Sequence, residues 1–107
     1  MEILDQLGRY PVLPILNLTD PKTALNTAEA LAKGGLEIME VTLRSDDALP
    51  SLEAVRKVFP HFILGAGTLL KIEQIKKVQN IGVDFGVSPS WDEPMWRKAQ
   101  EENFFLI

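Results

Sequence analysis

Strand-length apolar runs alternate with longer amphipathic stretches along almost the whole chain, one pair every ~20–26 residues. Parallel strands impose such a repeat, because the chain must cross back over the sheet before the next strand can start. The pattern places strands over residues 12–16, 36–42, 62–66, 85–87 and 104–107. Helices are expected over residues 21–33, 47–59, 72–81 and 93–102. In the first of these, Ala24, Leu25, Ala28, Leu31 and Ala32 recur at helical spacing. Asp20 before Pro21 has the form of an N-cap followed by a first-turn proline, and Gly34-Gly35 closes the segment. In the second, Leu49, Leu52, Val55 and Val58 or Phe59 fall on one side, with Pro60 as the stop. Residues 1–10 read as a short leading helix with Ile3, Leu4 and Leu7 on one face, and residues 11–107 as the body of the domain.

Two α/β architectures share this pattern: an open flavodoxin-like sheet, and a (β/α)8 TIM barrel of which the chain supplies about the first half, parallel strands 1–5. A receiver-type open sheet wants an acidic cluster after its first strand. Here Leu16-Asn17-Leu18-Thr19-Asp20 offers only Asp20, and too late. The chain stops at its last apolar run with no helix to cover it, an odd place for a native domain to end. In both architectures function sits at the C-terminal ends of the strands, where the polar residues of this chain gather.

At 107 residues there is room for one domain. The formal charge of −4, with basic residues scattered among acidic ones, argues against a nucleic-acid partner. Cysteine is absent, which excludes disulfides, thiolate nucleophiles and Cys-ligated metals. The N-terminal residues lack a basic region followed by an apolar stretch, and no apolar run approaches the ~20 residues that span a bilayer. No membrane partner is expected, and a cytoplasmic location is. His61 is the single histidine, so neither a Ser–His–Asp triad nor a His-based metal site is available, and no cofactor is expected.

The chemistry concentrates in Leu36-Glu37-Ile38-Met39-Glu40-Val41-Thr42. Side chains alternate between faces in a strand, so Ile38, Glu40, Thr42 and, if the strand persists, Arg44 share one side. A carboxylate among Ile38, Met39 and Val41 is costly unless it is paired or used. Glu40 and Arg44 would stand roughly 13 Å apart if fully extended, suited to two ends of a ligand more than to an ion pair. The competing reading is a structural charge or a solvated edge. Further on, Gly65-Ala66-Gly67-Thr68 bares the backbone, allowing an anion to approach N–H groups with the Thr68 hydroxyl as an extra donor. A tight turn with Thr68 as a cap is the plainer alternative. Ser88 could donate to a ligand or serve a turn, and Trp91, Met95 and Trp96 read as packing the last helix onto the sheet.

Together these pieces resemble the 2-keto-3-deoxy-6-phosphogluconate and 4-hydroxy-2-oxoglutarate aldolases. Gly35 to Arg44 fits that family's signature: a glycine, an aliphatic residue, three free positions, then Glu-aliphatic-Thr-Leu-Arg. Pro11-Val12-Leu13-Pro14-Ile15, Gly65-Ala66-Gly67-Thr68, Val87-Ser88-Pro89 and Glu93-Pro94 fall in the family's order. The resemblance implies a (β/α)8 barrel, usually homotrimeric, that works without a metal on a small 2-keto acid. It implies Glu40 as general base and acid, with Arg44 and Thr68 holding the substrate carboxylate. In that family a lysine forms a Schiff base with the C2 ketone, and loss of the C4 hydroxyl proton breaks the C3–C4 bond and releases pyruvate. Lys71-Ile72 stands where the family often has Asn-Pro, and Ser90 where it often has Gly. The family's Schiff-base lysine lies on a sixth strand beyond Ile107, and no lysine here falls in an expected strand. By itself the chain is therefore expected to lack turnover. A different class of function also fits: a non-catalytic half-barrel that self-associates and binds a small carboxylate or phosphate.

Overall fold

The computed structural model describes residues 3–17 and 19–107. Its elements follow in the order α1 (Ile3–Leu7), β1 (Ile15–Leu16), α2 (Pro21–Lys33), β2 (Ile38–Thr42), α3 (Ala48–Val58), β3 (Ile63–Gly67), α4 (Ile72–Ile81), β4 (Phe85–Gly86), α5 (Glu93–Glu101) and β5 (Phe105–Leu106). Of the expected leading helix, Met1 and Glu2 lie outside the described residues. Leu4 is exposed while Ile3 and Leu7 are half-buried, so the three do not share one covered face.

The helix starts have local causes. The Asp20 carboxylate accepts from the Thr23 N–H at 2.7 Å, and Pro21 follows in the first turn of α2. At α4, the Gln74 side chain accepts from the Leu70 and Lys71 N–H groups at 2.8 and 3.0 Å. That contact satisfies donors at the helix start, so Lys71-Ile72 in place of Asn-Pro leaves the start of α4 where the sequence puts it. Gly82, with φ 99°, ends the helix in the left-handed region. β1 begins at Ile15 and not at residue 12, because Pro11 and Pro14 have no N–H to give a ladder. The Pro14 carbonyl still accepts from the Glu40 N–H at 2.9 Å.

The sheet runs β1-β2-β3-β4-β5, every neighbouring pair parallel. A doubly wound sheet reverses direction after its first strands, and this one does not, which removes the flavodoxin-like alternative. With right-handed crossovers and a sheet that grows one way, the helices fall on one face. There Met39 and Val41 of β2 and Leu64 and Ala66 of β3 pack against Ala28, Leu52, Val55 and Ile75 in one apolar cluster. The other parity of β2, Ile38, Glu40 and Thr42, is buried too but faces away from the helices.

Of Val58 and Phe59, the one that faces the core is Phe59, which meets Phe62 edge-on at 5.6 Å, while Val58 is exposed. One packing expectation needs correction. Met95 on α5 is buried as expected, but Trp91 just before the helix is 73% exposed and Trp96 is exposed as well. Trp96 follows Met95 directly and so points about 100° away around the helix. The two indoles tilt against each other at 5.9 Å and, with Leu106 and Ile107, line a cavity beside β5. At the N-terminal ends of the strands, Arg56 donates to the carbonyls of Pro60, Phe62 and Gly82 and pairs with Asp84 at 2.7 Å. Asp84 in turn accepts from the Leu64 N–H.

Candidate active site

Glu40 sits in the middle of β2, in register with Ile15 on one side and Gly65 on the other, and is 4% exposed. The glycines of β3 explain how it fits. A Cβ on Gly67 would overlap the Glu40 carboxylate, and one on Gly65 would overlap the Phe85 ring. The space those glycines open is therefore filled from within the chain, and the anion that comes closest to this backbone is the protein's own. Because Gly67 lies two residues beyond Gly65, the Glu40 side chain reaches toward the C-terminal end of the sheet. Among the described residues no donor hydrogen-bonds to this carboxylate and no cation pairs with it. Burial pushes its pKa above the ordinary carboxylate value.

Thr42, on the same face, is also buried, and its hydroxyl donates to Asn17 Oδ1 at 2.8 Å. β2 ends at Thr42, and Arg44 lies in the bend that follows. Thr68 presents a different case. Strict alternation along β3 would put it with Leu64 and Ala66 on the helix side. β3 instead ends at Gly67, and Thr68 takes φ 58°, a left-handed conformation rare for a β-branched residue. That turn breaks the alternation and brings Thr68 to the Glu40 side. One cavity of about 280 Å3 is lined by Ile15, Asn17, Glu40, Thr42, Arg44, Thr68, Val87 and Pro89. All three residues singled out in the sequence thus border the same space, Glu40 at its base with Arg44 and Thr68 beyond the strand ends.

Among the described residues, this arrangement joins an unpaired carboxylate of raised pKa, an unpaired guanidinium and a hydroxyl around a cavity sized for a small organic acid. A model of the KDPG and KHG aldolases matches residues 3–107. The chain belongs to this aldolase family. It is 37% identical over 97 residues to the KHG/KDPG aldolase of Escherichia coli (strain K12), covering 91% of this chain and 46% of that protein. The crystal structure of the 2-keto-3-deoxy-6-phosphogluconate aldolase of Zymomonas mobilis ZM4 with 3-phosphoglycerate superposes with a TM-score of 0.88 at 35% identity, over 97% of this chain and 50% of that one. The KDPG aldolase of Legionella pneumophila, with pyruvate captured at low pH as a covalent carbinolamine intermediate, gives 0.85 at 35% identity, over 91% and 47%. The chain spans about half the length of the relatives it matches. Its strands and helices correspond to half of the TIM barrel of those aldolases.

Family membership makes the amines relevant, since these lyases are class I aldolases. Lys22, Lys33, Lys57, Lys76, Lys77 and Lys98 lie on helices and Lys71 at the start of one; none borders the Glu40 cavity. Ser88 donates its hydroxyl to the Ser90 carbonyl at 2.8 Å, so it serves the turn. His61 is exposed. Among the described residues no group of three or more acidic, His or Cys side chains could hold a metal ion, and no helix is long and apolar enough to cross a membrane. Asn17, Val87 and Pro89 escaped the sequence reading as cavity residues. Asn17 had a signal, being the polar residue next to the C-terminal end of a strand.

Proposed function

We propose that this chain carries the carboxylate half of a Schiff-base aldolase site that cleaves 2-keto-3-deoxy-6-phosphogluconate, 4-hydroxy-2-oxoglutarate or both, with release of pyruvate. The convergence of Glu40, Arg44 and Thr68 on one cavity supports it most. Arg44 and Thr68 bind the carboxylate of the 2-keto acid, Arg44 through its planar fork and Thr68 through its hydroxyl. A lysine from outside residues 1–107 forms the Schiff base at C2. Glu40 takes the C4 hydroxyl proton as the C3–C4 bond breaks, leaving an aldehyde and the enamine of pyruvate. The same carboxyl returns a proton to C3, and hydrolysis releases pyruvate. A carboxylate that burial makes reluctant to ionise suits both halves of that cycle. The relatives' bound pyruvate and 3-phosphoglycerate agree with a small anionic substrate.

In the full-length protein, Glu40→Gln should lower kcat for cleavage by a factor of about 10²–10⁴, as expected when a general base is lost. Turnover equal to the unaltered protein would remove Glu40 from the mechanism. The 107-residue chain by itself should form no borohydride-stable adduct with pyruvate, because none of its lysines borders the cavity. A single modified lysine in the mass spectrum would overturn that assignment. The absence of such an amine also keeps the second reading alive: a half-barrel that binds the acid without reacting. Pyruvate binding without turnover in the full-length protein would favour it.

A further inference from the structure

Thr42 stands between two acceptors. On its β1 side the hydroxyl donates to Asn17 Oδ1 at 2.8 Å and lies 3.4 Å from the Leu16 carbonyl. On its β3 side its register partner is Gly67, and the Glu40 carboxylate lies over Gly67. Adjacent strands are about 4.8 Å apart, so hydroxyl and carboxylate are close neighbours. A threonine hydroxyl has one proton to give, and rotation about a single bond decides which side receives it. Asn17 holds it here.

We infer that Asn17 is a positioning residue: by holding the Thr42 hydroxyl against β1 it withholds that donor from Glu40 and keeps the carboxylate a ready proton acceptor. The physical reason is that a hydrogen bond given to an ionised carboxylate stabilises the charged form and makes it a weaker base. The raised pKa of Glu40, whose cause is burial, is what a carboxylate denied such a donor retains. Among the described residues, Arg44 is the one other charged group on the cavity lining. The neighbouring strands offer only neutral groups there: Ile15 and Asn17 from β1, Gly65 and Gly67 from β3, Phe85 from β4. The inference rests on the reading of Glu40 as the base for its consequence, though not for its test.

That test is a carbon-13 NMR titration of the Glu40 carboxyl in the 107-residue chain and in the Asn17→Ala, Thr42→Val and doubly substituted variants. Asn17→Ala leaves only the Leu16 carbonyl on the β1 side, at 3.4 Å a weak acceptor beside an ionised carboxylate, so the hydroxyl should turn toward Glu40 and lower its pKa by about one unit, a tenfold change in proton affinity. Thr42→Val alone should leave Glu40 where it is, and adding it to Asn17→Ala should restore the original value. Loss of a merely structural contact would not be reversed by removing the second partner. An unchanged pKa in Asn17→Ala, or a shift of the same size in Thr42→Val alone, overturns the inference. Asn17→Ser carries the same expectation should the alanine variant fail to fold. Because the readout is titration and not turnover, this pattern stands or falls independently of whether Glu40→Gln abolishes cleavage.

Discussion

Glu40 is nearly out of water, and no donor or cation among the described residues compensates it, so its ionised form costs the fold stability. The folded carboxyl keeps its proton to higher pH than the unfolded one. Between the two pKa values the folded state binds more protons, so stability falls as pH rises. The burden is fully present above the folded pKa and gone below the ordinary value of 4.5. Glu40→Gln should therefore be more stable than the unaltered chain at neutral pH, with the advantage shrinking toward zero on acidification. Urea denaturation at several pH values measures this, and an advantage independent of pH would refute it. Gly67 supplies a second check. Gly67→Ala should push the carboxylate, the far end of a flexible side chain, toward solvent at little cost in stability and return its titration toward the ordinary range. An unchanged carboxyl titration would show that Glu40 does not need the space above Gly67. At this scale the sequence was informative about Glu40, whose parity follows from a regular strand. It misled on the parity of Thr68, because nothing local announces that a threonine will take φ 58°.

Among the elements, helices were more legible than strands, and the reason lies in how each is satisfied. α2 carries its own start and stop signals in Asp20, Pro21 and Gly34, and α4 its glycine end at Gly82, so their limits match the periodicity. Strand limits depend on pairing partners that local sequence does not reveal. β4 and β5 shrink to Phe85–Gly86 and Phe105–Leu106, where the paired register ends, although the Ser88 N–H still donates to the Ile107 carbonyl beyond it. The contacts that tie elements together were least visible. Arg56 near the C-terminal end of α3 bridges the loops before β3 and β4 through three carbonyls and Asp84, and sequence spacing pointed to none of these partners. Its side chain is mostly buried, so Arg56→Ala would strand both the carbonyls and a partly buried carboxylate. A loss of about 2–4 kcal/mol is expected on denaturation, with Arg56→Lys recovering only part, since an ammonium cannot reproduce the guanidinium fork. Full recovery by lysine would reduce the staple to simple charge pairing.

For the molecule as a whole, the strand order decides the architecture, which the alternation of strands and helices leaves open between two and which the family resemblance already points to as a barrel. Both candidates need alternating strands and helices; only the direction in which the sheet grows separates them, and that is a long-range property. The same order leaves β1 and β5 each paired on one side only, at opposite edges of the sheet. Ile15 on β1 is 58% exposed, and the Trp91–Trp96 pair lines a cavity of about 320 Å3 with Leu106 and Ile107 beside β5. Unpaired parallel edges flanked by apolar surface are prone to recruit a further chain. Residues 1–107 expressed by themselves should therefore self-associate with rising concentration, as sedimentation would show. Trp91→Ser together with Trp96→Ser should weaken that association if the apolar surface beside β5 drives it. If the doubly substituted chain associates as before, the bare strand edges themselves are the cause, and a proline at Leu106, which removes an edge N–H, becomes the substitution that should reduce it. A chain that stays monomeric throughout would mean that the edges are protected by their own shortness, since β1 and β5 offer only two residues each for pairing.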